Sequence, residues 1–307
     1  MKILITGATG FIGQHLLEEL KDDDVEINII SRKKNPKFWC EHNKLEIFNG
    51  DVSQKASMNQ SFKNVDVLIN LAAELKNNDK YESTNIGGTK NLIALCKENR
   101  VKKIIHLSSV GVVGVQYSGR KIIVDENFPC HPQNEYERTK LEAEKIISNS
   151  EISFVILRPT NVFGDHHPRN SLLNLFQQLK KEKLFPLQKN ASVNYVYAKD
   201  VAHAIRFCLL NNVENKIFNI GESMLLLDFL KLCSAEIKAS LRTLNMSSVF
   251  FGLGEALNYF GIKKIKKKLR VISNRVEYKS EFMNTQIKYK YGIKTGIKNT
   301  IAFYKLK

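Results

Sequence analysis

Thr6-Gly7-Ala8-Thr9-Gly10-Phe11-Ile12-Gly13 decides the fold of this chain. It follows directly on the apolar run Ile3-Leu4-Ile5, and Ile12, Leu16, Leu17 and Leu20 recur after it at helical spacing. The stretch therefore reads as a strand, a tight glycine turn and a helix. Glycine at 7, 10 and 13 removes Cβ atoms, so backbone N–H groups and the positive end of the helix can meet a pyrophosphate. Both flanks are of the right kind, which separates this stretch from a chance cluster of glycines. Gly7, Thr9, Gly10, Phe11, Ile12 and Gly13 are accordingly expected to hold a dinucleotide.

Working outward, apolar strand-like runs at Lys2 to Thr6, Val25 to Ser31, Leu45 to Asn49, Val67 to Leu71, Lys103 to Ser108 and Phe154 to Leu157 alternate with helical patterns, notably Tyr81 to Asn99 and Glu135 to Ser148. Alternation of this kind predicts an α/β fold, a Rossmann-type doubly wound parallel sheet with ligands beyond the carboxyl ends of its strands. After Pro159 the rhythm breaks into a polar loop (Gly164 to Arg169), helices near 171–183 and 200–210, and short strands at 193–196 and 216–220. A nucleotide-binding domain over residues 1–160 and a smaller C-terminal substrate lobe over 161–307 are expected, the two sharing strands and helices.

The 307 residues, 43% hydrophobic, suffice for one large core with an appended lobe. The first strand starts too early for a signal peptide, and no apolar run reaches the roughly 18 residues that span a bilayer. A cytoplasmic protein is expected. Cys40, Cys96, Cys130, Cys208 and Cys233 are scattered without a Cys-x-x-Cys pair, so neither a disulfide framework nor a zinc knuckle is indicated. The net charge of +16 is concentrated in the tail, where residues 261–307 carry 14 Lys/Arg against 2 Glu. Apolar Val249-Phe250-Phe251, Leu253, Leu257 and Phe260 precede the basic block Lys263 to Arg270, an arrangement suited either to peripheral contact with an anionic membrane or to a solvated outer face. No aromatic-and-basic platform accompanies the charge, so nucleic acid is not an expected partner.

Tyr136 and Lys140 lie four residues apart in a helical pattern, on one face about one turn apart. A phenol titrates near pH 10 unaided; a neighbouring ammonium favours the phenolate and moves it toward the working range. The pair can take a proton from a carbinol or return one to a carbonyl. Ser108 and Ser109 close the strand that starts at Lys103, where a hydroxyl would face the same crevice.

These motifs together resemble the extended branch of the short-chain dehydrogenase/reductase superfamily, its NAD-dependent epimerases and dehydratases, over nearly the whole chain. Thr6 to Gly13 resembles the branch's Thr-Gly-x-x-Gly-x-x-Gly. Gly50-Asp51-Val52 is similar to its adenine-contacting segment, Asn70-Leu71-Ala72-Ala73 to the backbone wall beside the cofactor, and Asn85-Ile86-Gly87-Gly88-Thr89 to the helix behind it. Ser108-Ser109-Val110-Gly111-Val112-Val113-Gly114 resembles the catalytic serine segment, and Arg158-Pro159-Thr160-Asn161-Val162-Phe163-Gly164 the segment opening the substrate region. Tyr195 to Ala202 and Phe218-Asn219-Ile220-Gly221 are similar to two further, structural segments. The resemblance implies hydride transfer at a sugar carbon of a nucleotide-activated sugar, by an epimerase or ketoreductase of glycan assembly that forms a homodimer. It implies Tyr136 as general acid/base, Lys140 as its tuning amine on the cofactor ribose, Ser109 as the substrate-oxygen hydroxyl, Asp51, Val52, Leu71, Ala72 and Ala73 as cofactor contacts, and Asn161 as a substrate contact.

At the end of the second strand an NAD site ordinarily has an acid for the ribose 2′-hydroxyl. This chain reads Ser31-Arg32-Lys33-Lys34, so Ser31 and Arg32 are expected cofactor contacts, with NADP preferred to NAD because a guanidinium welcomes a 2′-phosphate. The branch's 4,6-dehydratases follow the catalytic hydroxyl with an acidic pair where this chain has Val110-Gly111, which disfavours dehydration. Ser192-Val193-Asn194 and Tyr197 also depart from the branch's Arg-Asp-Phe and His.

Other functions consistent with the sequence are a hydroxysteroid-dehydrogenase-like enzyme acting on a lipidic alcohol at a membrane, and a non-catalytic NADP sensor. Asp165, His166 and His167 are adjacent on a loop and converge poorly on one metal ion, so no metal site is expected there. His15, His106 and His203 fall within helical or strand patterns and read as packed or surface residues.

Overall fold

The computed structural model describes residues 1–39, 44–115, 120–168, 171–246, 272–281 and 289–305. Seven strands form one sheet: β1 (Lys2–Thr6), β2 (Glu26–Ser31), β3 (Leu45–Asn49), β4 (Val67–Asn70), β5 (Lys103–Leu107), β7 (Ser153–Pro159) and β11 (Lys216–Ile220). Their order across the sheet is β11-β7-β5-β4-β1-β2-β3 and every pairing is parallel. This is the doubly wound arrangement expected from the alternation. The order reverses between β1 and β4, which opens a crevice at their carboxyl ends.

Strands covered on both faces must be apolar on both, and Ile3, Leu4 and Ile5 of β1 are all fully buried. Ile3 and Ile5 pack with Leu16 and Leu17 of α1 (Phe11–Glu19) and Val201 and Ile205 of α5 (Ala198–Leu210). Leu4, on the opposite face, packs with Leu92 and Leu95 of α2 (Gly88–Glu98) and Ile147 of α3 (Glu135–Ser148). The chain thus returns to the main sheet after residue 160, with α5 lying on α1 and β11 beside β7.

A second core belongs to the C-terminal part. It gathers Phe163, Phe176 of α4 (Ser171–Lys180), Tyr197, Phe229 of α6 (Leu226–Glu236) and Ile297 of α7 (Gly292–Phe303). Its small sheet runs β12 (Glu222–Leu225), β10 (Ser192–Tyr197), β8 (Asn161–Phe163). β6 (Ile122–Val124) pairs with β14 (Val276–Tyr278), and β9 (Leu184–Leu187) with β13 (Arg242–Asn245).

The structure modifies one expected element. The helix read over 81–99 is a π-turn, Glu82–Gly87, followed by α2. Asn85, buried inside that turn, accepts the Glu74 N–H at 2.8 Å and donates to Thr139 Oγ1 at 3.0 Å, contacts to which the widened turn adapts the backbone. The basic block Lys263 to Arg270 and the apolar positions from Val249 to Phe260 lie outside the described residues, as does Cys40. Among the described residues no helix is long and apolar enough to cross a membrane.

Candidate active site

The glycine turn sits at the mouth of the crevice. Gly7 has φ +72°, and a Cβ there would lie 2.8 Å from Leu71 C and Ala72 N. A Cβ on Gly13 would lie 2.3 Å from the Gly7 carbonyl oxygen, so the turn closes only with glycine at both positions. Gly10 caps α1 without any side-chain hydrogen bond, and the first turn of that helix has no acidic residue. Orphan N–H groups and an uncompensated positive helix end are what a pyrophosphate requires. Leu71, Ala72 and Ala73 follow β4 beside this turn, tied to it by Ala72 N–H donating to Thr6 Oγ1 at 3.2 Å. The residues present therefore fit a dinucleotide.

At the end of β2, Ser31 Oγ accepts the Lys33 N–H at 3.1 Å, and Arg32 is exposed. Three backbone N–H groups, that of Lys76 foremost, hold the Glu74 carboxyl below its usual range, and nearby Arg32 adds to the effect. Asp51 accepts both the N–H and the hydroxyl of Ser53, and Val52 is buried against Gly88 with its carbonyl taken by Asn91.

The second half of the site is built on α3. Asn134 caps it, accepting the Glu137 N–H at 3.0 Å, so helix geometry begins at Glu135 and Tyr136 lies in the first turn. Glu135 and Glu137 share that first turn with it. Tyr81 flanks the Tyr136 ring at a centroid distance of 5.9 Å. Ser109 caps the short turn Val110–Val113 by accepting the Gly111 N–H at 3.0 Å, which leaves its own O–H as a donor. Gly111 lies between the Ser109 hydroxyl and the Glu137 side chain, so the serine turn packs on the first turn of α3. Ser108 Oγ, buried just after β5, has no hydrogen-bond partner among the described residues.

One helical turn beyond Tyr136, the Lys140 amine is buried and donates to the Leu107 carbonyl at 2.7 Å. It lies 3.1 Å from His106 Nε2. Burial draws this lysine down to about 8, partly opposed by Glu144. His106 is held well below the ordinary imidazole value, by burial first and by the lysine charge second. Glu144, one turn further along α3, is locked to Arg158 of β7 in a buried pair, with Arg158 Nη2 at 2.6 Å and Nε at 3.0 Å from its carboxylate. The lysine amine, the serine turn and the glycine turn thus lie at the carboxyl ends of β5 and β1, with Tyr136 one helical turn before the lysine on α3.

Asn161 stands on β8, exposed, with its Nδ2 donating to the Asn194 carbonyl at 3.0 Å. The polar loop after it is engaged within the protein. Asp165 accepts the Tyr197 hydroxyl at 2.9 Å, His166 stacks on Trp39 at 4.1 Å, and His167 meets the Phe11 ring edge-on at 4.9 Å.

The sequence reading does not mention Glu144, places Asn70, Asn85 and Arg158 only within family-like segments, and takes His106 as a packed or surface residue, assigning none of them a role in the site. Two of them carried a readable signal. Asn70 and His106 are polar residues inside the otherwise apolar runs Val67-Leu68-Ile69-Asn70 and Ile104-Ile105-His106-Leu107, and a buried polar side chain needs a partner.

The profile of the NAD dependent epimerase/dehydratase family matches residues 3–221. An N-acetyl-α-D-glucosaminyl-diphospho-ditrans,octacis-undecaprenol 4-epimerase of Escherichia coli O157:H7 is 32% identical over 222 residues, 68% of this chain and 63% of the relative, so the match spans under two thirds of that protein's length. Among solved structures, the UDP-glucose 4-epimerase of Thermotoga maritima with UDP-glucose superposes with a TM-score of 0.76 at 18% identity, covering 99% of both chains. The UDP-glucuronic acid 4-epimerase of Bacillus cereus with NAD gives a TM-score of 0.73 at 22% identity, again covering 99% of each. At these identities the structures establish the shared fold.

Proposed function

The chain belongs to the NAD dependent epimerase/dehydratase family, and from that premise we propose that it is a nicotinamide-dependent epimerase inverting one carbon of a sugar held through a diphosphate. A bound nicotinamide dinucleotide supplies the hydride acceptor and donor. The protein's own part is proton handling and positioning. Tyr136 takes the carbinol proton as hydride leaves and restores it when hydride returns to the other face. Lys140 keeps the phenolate accessible, the Ser109 hydroxyl donates to the reacting oxygen, and Asn161 contacts the substrate from β8. The observation that carries this reading is the placement of Tyr136 in the first turn of a capped helix, with Lys140 one turn behind it and anchored at the carboxyl end of β5. Two of the 4-epimerases compared, one named for a lipid diphosphate and one solved with UDP-glucose, have the sugar on a diphosphate. That shared group is the substrate feature inferred for this chain.

The ribose end supports NADP over NAD, because Arg32 stands exposed where an acid would bind a free 2′-hydroxyl. An NADP preference favours a second reading, a ketoreductase drawing on an external NADPH pool, since an epimerase regenerates its cofactor at every turnover. Incubation of the protein with UDP-N-acetylglucosamine, UDP-glucose and a short-chain polyprenyl-diphospho-N-acetylglucosamine, each with NAD and with NADP, followed by proton NMR, separates the two. Inverted configuration without net coenzyme consumption is the expected result. Stoichiometric NADPH oxidation with a keto-sugar would replace epimerase by reductase, and inertness of every sugar diphosphate would overturn the substrate class.

A further inference from the structure

Strand register lines up three polar residues across the middle of the sheet: Thr6 of β1 lies opposite Asn70 of β4, and Asn70 opposite His106 of β5. They are 0%, 3% and 1% exposed, and Lys140 at the end of the row is 2% exposed. Thr6 Oγ1 is 2.7 Å from Asn70 Oδ1, Asn70 Nδ2 is 3.1 Å from His106 Nδ1, and His106 Nε2 is 3.1 Å from Lys140 Nζ. Ile5, Ile69 and Ile105, one residue back on each strand, are fully buried. A polar row laid through such a sheet is costly unless each member satisfies the next.

The row can be ordered in two directions, each of which satisfies the lysine. With Lys140 as an ammonium, His106 Nε2 must accept, so the ring proton sits on Nδ1, the Asn70 carboxamide presents its oxygen to the ring, and its NH2 donates to Thr6 Oγ1. With Lys140 as an amine, Nε2–H donates to the amine lone pair, Nδ1 accepts from the Asn70 NH2, and the Asn70 oxygen accepts from the Thr6 hydroxyl. The two orders differ by one proton, released to solvent as the ammonium is lost, by a shift of the ring proton from Nδ1 to Nε2, and by a half-turn of the carboxamide. In both, Lys140 keeps its hydrogen bond to Leu107, and the Ala72 N–H keeps Thr6 Oγ1.

We propose that His106 is a positioning residue of the active site, and that its tautomer, relayed through Asn70 to Thr6 at the glycine turn, reverses with the charge of Lys140. The relay keeps the buried amine satisfied in both protonation states, which the proton handling assigned to Tyr136 and Lys140 under the proposed function requires; it rests on that reading. The titratable and charged groups around the amine are Tyr136 and Glu144 on α3, His106 on β5, and Arg158 on β7, which neutralises Glu144. Burial draws the lysine down to about 8 and holds the imidazole well below its ordinary value, so of these two neighbours the lysine is the one that changes charge in that range.

The test is nitrogen NMR of the full-length protein labelled with 15N-histidine and saturated with NAD, from pH 6 to 10, the His106 signals being assigned with His106→Gln. The expected result is a ring that never becomes imidazolium and whose protonated and unprotonated nitrogens exchange identities across one inflection, with that inflection absent in Lys140→Met. A ring keeping one tautomer throughout, or an inflection that persists in Lys140→Met, overturns the relay. Should His106→Gln fail to fold, Asn70→Asp, which replaces the reversible carboxamide by an acceptor, serves instead: it is expected to pin His106 as the Nδ1–H tautomer at every pH, and continued exchange would overturn the relay. None of these readouts needs turnover. Loss of the relay with turnover still abolished in Tyr136→Phe sinks this inference alone, whereas full turnover in Tyr136→Phe sinks the proposed function.

Discussion

Gly13 sits directly over Gly7: a Cβ added at 13 would lie 2.3 Å from the Gly7 carbonyl oxygen and 2.5 Å from Ala8 Cα. Both obstacles are backbone, and backbone in a turn that must also present its N–H groups cannot step aside. At Gly10 the same addition meets only the Gly7 oxygen, at 3.1 Å. Gly13→Ala is therefore expected to weaken dinucleotide binding at least about a hundredfold, roughly 2.7 kcal/mol, and Gly10→Ala far less. Isothermal titration with NAD and with NADP checks the order, and equal losses would break the link between turn closure and binding.

Replacement of Tyr136 by Phe removes only the hydroxyl from a ring that otherwise keeps its place beside Tyr81. If Tyr136 is the proton-transfer group, kcat falls by about 10²- to 10⁴-fold while coenzyme affinity and KM change little. Steady-state kinetics on whichever sugar diphosphate turns over gives the split. A large rise in KM with kcat intact would recast the tyrosine as a binding residue.

Arg32→Asp places a carboxylate where the ribose 2′-position is expected. A 2′-phosphate is repelled by it and a 2′-hydroxyl accepted, so the NADP-to-NAD affinity ratio should fall by at least about tenfold, or 1.4 kcal/mol. Fluorescence titration with both reduced coenzymes measures the ratio. An unchanged ratio removes Arg32 from the site.

The folded chain makes clear why some of this was readable and some was not. α3 was readable from Glu135 to Ser148 because Asn134, a cap residue, precedes an apolar pattern of helical period. The strands of the main sheet were readable because burial on both faces leaves continuous apolar runs. The pairing of Ile122 to Val124 with Val276 to Tyr278 was not, since it joins segments about 150 residues apart whose only local signal is three residues long. The linkage of Thr6, Asn70, His106 and Lys140 escaped for the same reason: a polar residue in an apolar run can be seen in its own window, but only strand register shows which partners come within hydrogen-bond reach. The π-turn at Asn85 depends on contacts with Glu74 and Thr139, neither of which helical periodicity can anticipate.

Glu144 and Arg158 form a buried, doubly hydrogen-bonded pair linking α3 to β7. Removing one partner leaves the other charged and dehydrated, so Glu144→Met or Arg158→Met alone should cost about 3–5 kcal/mol, while the double replacement by two methionines should recover most of that loss. Urea unfolding of the four proteins closes the cycle. Additive losses would mean that the pair is not coupled.

Lys140 gives the molecule a pH dependence whose sign follows from its burial. The amine is drawn down to about 8 in the folded chain against 10.5 for the free side chain. Below pH 8 it is charged in both states and contributes no slope. Between 8 and 10.5 the unfolded chain still holds the proton that the folded chain has lost, so unfolding takes up a proton and stability rises with pH. Above that range both states are neutral. Over two pH units the gain is about 2.7 kcal/mol. Other groups titrate in the same range, so the measurable quantity is a difference: the unfolding free energy of the wild type minus that of Lys140→Met should grow by about 2–3 kcal/mol between pH 8 and pH 10. Urea melts at the two pH values decide it. A difference that stays flat would mean that the buried amine keeps its proton throughout, and the two-way relay with His106 would lose its trigger.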